Sequence, residues 1–204
     1  IKIISQDLLL QFKNNKVLKK DIKLLVSQVN RCNEILKRLS INSTLEDDFI
    51  EKDLSLHNYL KEIVSSFKEI STKNFIINVE QDTNSFDIKK SIEIIYGIRN
   101  FIGNANKFSK KNIYITIRSD SETSEITIED DGGGFSKDIL TKIGEPYIKS
   151  LRPSEKKKSG LGLGIFIGKT LLEKNYAKIL FRNSETRGGA EIKIEWLNKN
   201  LKKI

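Results

Sequence analysis

Three short segments, in one order, constrain this chain more than anything else in it. Asn100-x-x-x-Asn104-Ala105-x-Lys107-Phe108 comes first, Asp130-Asp131-Gly132-Gly133-Gly134-Phe135 second, and Gly160-Leu161-Gly162-Leu163-Gly164 third. Residues Ser91 to Phe108 place Ile94, Ile95, Ile98, Ile102 and Ala105 at helical spacing. Asn100 and Asn104 then share one helical face, one turn apart. Glu125 to Glu129 alternates polar and apolar, which reads as a strand running into Asp130. The third segment opens a helix from about Leu163 to Asn175. A polar helix face, a strand ending in a glycine loop and a glycine turn before a helix are the parts of one pocket.

The residue types say what that pocket suits. An amide carbonyl is a hard, neutral oxygen donor, and Asn104 would serve a Mg²⁺ that keeps several waters and is otherwise held by phosphate oxygens. Asn100 would support it. Lys107 could reach a phosphate as a point charge, and Phe108 could cover an adenine ring. A buried carboxylate at a strand end, Asp130, could accept from the adenine amino group. Gly132 and Gly134 let the backbone pass close to the purine. Gly160, Leu161, Gly162, Leu163 and Gly164 bring backbone N–H groups and a helix N-terminus to the phosphates. No Gly-Lys-Ser/Thr follows and no strand precedes, so neither the P-loop nor the dinucleotide fingerprint applies. The expected ligands are ATP and Mg²⁺. Lys149 to Ser159 reads as a lid, and its Lys156, Lys157 and Lys158 are either a phosphate clamp or a solvated charge run.

These segments carry a resemblance. The chain resembles the C-terminal part of bacterial sensor histidine kinases, whose ATP-binding fold is shared with gyrase, Hsp90 and MutL. The three segments resemble the N, G1 and G2 boxes of that family, in that order. Gly144-Glu145-Pro146-Tyr147 resembles its F box, which adds Tyr147 to the nucleotide site, and Thr186-Arg187-Gly188-Gly189-Ala190 resembles its last glycine turn. In the hydrolase branch a glutamate that activates water usually stands where Asn100 stands. An amide is no general base, so Asn100 favours phosphoryl transfer over ATP hydrolysis. The implied fold class is α/β: an N-terminal helical hairpin, then an α/β sandwich with a mixed sheet and helices on one face. Candidate strands are Phe49 to Leu54, Phe75 to Glu80, Asn112 to Arg118, Glu125 to Glu129, Lys178 to Arg182 and Ala190 to Trp196. They are expected in one sheet, with helices near Ile63, Ile94 and Phe166 buried against it.

The first residues extend the resemblance. Ile22, Leu25, Val29, Cys32, Leu36 and Leu39 form a heptad seam, and Ile1, Ile4, Leu8 and Phe12 a second apolar stripe. Two such hairpins make a four-helix bundle, which implies a homodimer. The expected domains are residues 1–41, the dimerisation hairpin; 42–53, a linker with the first strand; and 54–204, the ATP-binding domain. Gln28-Val29-x-Arg31-Cys32 is similar to redox-responsive kinases of the RegB/PrrB type, in which the cysteine matching Cys32 is linked to redox control. A small thiol packed on an apolar seam explains Cys32 more simply.

No His-Glu acceptor box is present, and the chain begins inside a helical pattern. The expectation is a fragment cut downstream of the acceptor histidine, with a degenerate kinase as the alternative. His57, the sole histidine, lies near the start of an amphipathic helix from Leu56 to Glu69 and reads as a surface residue. The resemblance implies a response-regulator receiver domain as partner and a cytoplasmic domain of a membrane-anchored bacterial protein, joined to the membrane through a region outside this sequence. The net charge of +9 is spread along the chain without a basic recognition helix, so no direct nucleic-acid contact is expected. One cysteine forms no intrachain disulfide and fits the cytosol. A serine kinase of the anti-sigma-factor kind and a non-catalytic ATP-binding scaffold remain the other readings of this fold.

Overall fold

Alternation dictates the central strands. In a computed structural model of the chain, residues 22, 54–80, 87–88, 91–148 and 162–201 are described. Ile113, Ile115 and Ile117 of β4 (Asn112–Ser119) are buried, while Tyr114, Thr116 and Arg118 between them are not. β5 (Thr123–Asp130) repeats the pattern with Ser124, Ile126, Ile128 and Asp130 inward. Period-2 burial puts one face of a sheet on a core and the other in water.

The sheet contains five strands in the order β2-β4-β5-β7-β6, with β2 (Asn74–Val79), β6 (Lys178–Asn183) and β7 (Ala190–Leu197) completing it. β2 and β4 are parallel, and the other three pairings are antiparallel. It is therefore a mixed sheet. Of the strand expected from Phe49 to Leu54, only Leu54 is described. With Ser55 it forms β1 (Leu54–Ser55), which pairs with β3 (Asp87–Ile88) in a separate two-stranded ladder and not in the large sheet. The remaining five expected strands form where the alternation places them.

Three longer helices share the apolar side of this sheet. They are α1 (Leu56–Lys68), α2 (Ile92–Phe108) and α4 (Gly164–Lys174). Two four-residue helices, α3 (Lys137–Leu140) and α5 (Asn198–Leu201), finish short connections. α1 buries Leu56, Tyr59, Leu60, Ile63 and Val64. α2 buries Ile94, Ile98, Phe101, Ile102 and Ala105 against Ile126, Ile128, Ile192 and Ile194 of the sheet. α4, the helix expected near Phe166, packs inward as well, through Ile165, Gly168 and Leu172, with Phe166 half-buried. The reason is contact between helices. A Cβ on Gly168 would lie 2.7 Å from the Phe101 ring, so α4 turns its smallest residue toward α2.

The opposite sheet face is polar. Arg118 pairs with Glu80 at 3.7 Å, Lys193 with Glu125 at 2.5 Å and Arg182 with Glu191 at 2.6 Å. The backbone divides into units of residues 1–51 and 52–204, and all the elements above belong to the second. Apart from Ile22, the expected hairpin and its dimer seam, with Cys32, lie outside the described residues, as does the lid at 149–159.

Candidate functional site

α2 begins with a local cap. Ser91 Oγ accepts from the Ile94 amide, a serine N-cap that satisfies an otherwise unpaired N–H. From that start the helix carries Asn100 and Asn104 one turn apart. Asn100 Nδ2 donates to the Tyr96 carbonyl at 2.8 Å, which fixes the orientation of its Oδ1. That oxygen lies 3.7 Å from where a Cβ on Gly164 would sit. The first and third segments therefore meet here. Lys107, in the last turn, holds its ammonium 5.2 Å from the centre of the Phe108 ring.

Asp130, the last residue of β5, is 2% exposed. Its Oδ1 accepts from the Gly132 amide at 2.7 Å, and the Ala190 amide also donates to the carboxylate. Burial raises its pKa above the ordinary carboxylate value; the two amides offset part of this, and the Asp131 charge adds to the rise. A carboxylate has roughly four lone-pair sites, so capacity remains for a further donor. Around it the backbone leaves no room for side chains. A Cβ on Gly132 would lie 2.5 Å from the Phe108 carbonyl and 2.6 Å from Asp130 Oδ1. A Cβ on Gly189 would collide with the Asp130 carbonyl and carboxylate. Two glycines from distant parts of the chain thus flank one buried acid.

Asp131 does different work. Its carboxylate accepts from the amides of Lys110, at 2.7 Å, Lys111 and Asn112. It ties the turn after α2 to the end of β5, so the helix end and the strand end stay together. Burial disfavours its ionisation, but these donors outweigh burial and hold its pKa below the usual carboxylate value.

At the other end of the site, Gly162 has φ +71 and a Cβ there would meet the Ile148 carbonyl. Only glycine takes that backbone without strain. Leu163 is the N-cap of α4 and Gly164 its first residue, so the positive end of the helix dipole faces the Asn100 amide. Gly160 and Leu161 lie outside the described residues. Tyr147 has φ +64 and is 60% exposed, beyond a turn in which Gly144 at φ +95 packs on Lys169.

The structure thus brings Asn100 to Gly164, Asp130 to Gly132 and Gly189, and Gly132 to the Phe108 backbone. Sequence reasoning missed Gly189 as a wall of the Asp130 pocket, although the glycine pair marked a turn. It missed Asp131 and Asn183 altogether; polar residues at a strand end carry no signal of what they will face.

A buried strand-end acid beside a glycine cradle, with an amide-bearing helix facing a glycine-opened helix, defines a nucleotide-binding α/β sandwich. Residues 89–200 match the histidine kinase-, DNA gyrase B-, and HSP90-like ATPases, more than half of the chain, and the chain belongs to that family. It is a histidine kinase-like ATPase domain. It is 29% identical over 193 residues to the sensor histidine kinase RegB of Cereibacter sphaeroides, covering 90% of this chain and 41% of that protein. The catalytic domain of the histidine kinase ThkA superposes with a TM-score of 0.59 at 18% identity, over 72% of this chain and 96% of that one. Full-length ShkA in complex with AMPPNP gives 0.58 at 19%, over 88% of this chain and 37% of that one. The chain therefore spans about two fifths of the curated relative it matches over most of its length.

Proposed function

We propose that this chain binds Mg-ATP and that the whole protein transfers the γ-phosphoryl group to a histidine, for relay to an aspartate of a response regulator. The observation that carries the reading is the buried Asp130 carboxylate, set between two glycines that have no room for a Cβ. An adenine amino group is the donor that such an acid would take.

The donor set fits the metal as well. Among the described residues no group of three His, Cys, Asp or Glu side chains forms a protein cage for a cation. Asn104 would supply one amide oxygen and the phosphates the rest, an arrangement that suits Mg²⁺. When bound, Mg²⁺ would neutralise charge on the phosphate oxygens. Asn100 holds its amide toward Gly164. Lys107 adds a positive charge near the end of α2. Phe108, Gly134, Tyr147 and the 160–164 turn complete the proposed contacts. Neither amide is a base, which favours transfer to a protein group over hydrolysis.

His57 is not the acceptor in this reading. Its Nδ1 is shielded from solvent with no hydrogen-bond partner among the described residues. Burial, and then Lys61, lower its pKa. The acceptor would be a histidine that these 204 residues do not contain. Residues 1–41 would pair two copies through their heptad seam, 42–53 would link, and 54–204 would hold the nucleotide. No helix among the described residues is long and apolar enough to cross a membrane; the domain would work on the cytoplasmic side of a membrane-anchored protein.

Calorimetric titration with ATP and a non-hydrolysable analogue, with and without Mg²⁺, tests the reading. Mg-dependent binding that Asp130→Ala abolishes is expected. No binding by the unaltered chain would sink it and leave a scaffold.

A further inference from the structure

β6 carries none of the three segments, yet it grips two of them. Asn183, its last residue, accepts from the Phe135 amide at 2.6 Å and donates from Nδ2 to the Phe135 carbonyl at 3.0 Å. One side chain satisfies both backbone groups of one loop residue, as a neighbouring strand would. Only one orientation of the amide makes both bonds. The residue before, Gly134, has φ +65, and a Cβ there would lie 2.6 Å from Asn183 Oδ1. The loop after Asp130 is thus shaped to the Asn183 amide.

Two residues earlier, Phe181 extends the grip. Its ring stands edge-on to Phe135, with centroids 6.3 Å apart, and edge-on to Phe101 at 5.8 Å. Phe101 follows Asn100 in α2 and fills the space beside Gly168 of α4. Edge-to-face aromatic pairs and paired hydrogen bonds both have narrow geometric optima. A shift of β6 would therefore be felt at the glycine loop and the asparagine helix together.

We propose that Asn183 is a positioning residue for nucleotide binding: it pins the loop from Gly132 to Phe135, and Phe181 keeps that loop in register with α2. This rests on the nucleotide reading above and names a residue outside its three segments. The competing explanation is an edge-strand contact that adds stability and nothing else.

Asn183→Ala in the 204-residue chain separates the two. The control is Asn74→Ala on the opposite edge strand, where the amide bonds to Asn112 at 3.1 Å. Unfolding midpoints, affinities for ADP and for Mg-ATP below those midpoints, and hydrogen exchange at the Phe135 amide are measured for each. Asn183→Ala is expected to weaken ADP and ATP alike, by about tenfold, and to speed Phe135 exchange by a similar factor. The equal loss for both nucleotides follows because the pinned loop lies at the Asp130 end, away from the phosphates. Asn74→Ala should leave affinity unchanged. If Asn183→Ala fails to fold, Asn183→Asp keeps the acceptor for the Phe135 amide and loses the donor, and about a threefold loss is expected. Affinity equal to the unaltered chain, in a variant whose midpoint has dropped, overturns the proposal alone. An unaltered chain that binds neither nucleotide overturns the nucleotide reading and this proposal with it.

Discussion

The two ends of the site are built from different materials. At the Asp130 end the walls are backbone: glycines at 132 and 189 lie where no Cβ fits, and amides of Gly132 and Ala190 hold the acid. At the Gly164 end the part shown is a side-chain amide on one helix facing the first turn of another, with 3.7 Å between Asn100 Oδ1 and the Cβ position of Gly164. A base has one shape and one hydrogen-bonding edge, which rigid backbone can match. Phosphates must be held and then moved, which suits longer contacts and a helix terminus. The contrast predicts that the first end tolerates substitution poorly and the second gradually.

Gly189→Ala should have the largest effect. The new methyl meets the Asp130 backbone, and about 3 kcal/mol of stability should be lost with nucleotide binding, as read by denaturant unfolding and calorimetry. A variant of normal stability and affinity would show that the Asp130 end is not rigid. Asp130→Asn keeps the shape and removes the charge. About 2 kcal/mol, roughly 30-fold in ATP affinity, should go, with a smaller loss for GTP that narrows the discrimination.

Asn104→Ala should act only where Mg²⁺ is present. A loss of about tenfold in Mg-ATP affinity, with metal-free ATP unaffected, is expected. Equal losses with and without metal would assign Asn104 to the nucleotide and not to the cation.

The smallest effect is on pH dependence, where two neighbouring acids differ in sign. Asp130 has a raised folded pKa, so its contribution to stability is full below its unfolded value and is lost as pH rises through the folded one. Asp131 has a depressed folded pKa, so its contribution is present above the unfolded value and lost as pH falls through the folded one. The ionised Asp130 is the better acceptor for adenine. ATP affinity should therefore decline on acidification at a pH above the range in which an ordinary aspartate titrates. Asp130→Asn should abolish that decline, and its persistence would move the titration elsewhere.

Legibility followed sequence distance. Ile113, Ile115 and Ile117 alternate within five residues, and α2 repeats its apolar positions every turn, so both elements could be read directly. Asn100 and Asn104 share a face because the helix repeat puts them there. That α4 buries a face was legible near Phe166, but which residues face α2 was not: the close approach of the two helices selected Gly168 and Leu172. Leu54 misled because pairing with Ile88, and not apolar content, decided its sheet.

The sequence by itself determined the three segments, their order, the strand and helix periods that present them, and through these the family. It did so because local conformation and facing depend on residues a few positions apart. Tertiary structure alone decided that Gly189 walls Asp130, that Asp131 ties down the end of α2, and that Asn183 holds Phe135 across 48 positions. Those contacts are made by the strand order β2-β4-β5-β7-β6, which brings distant ends side by side. No local pattern encodes which distant backbone a strand-end asparagine will meet.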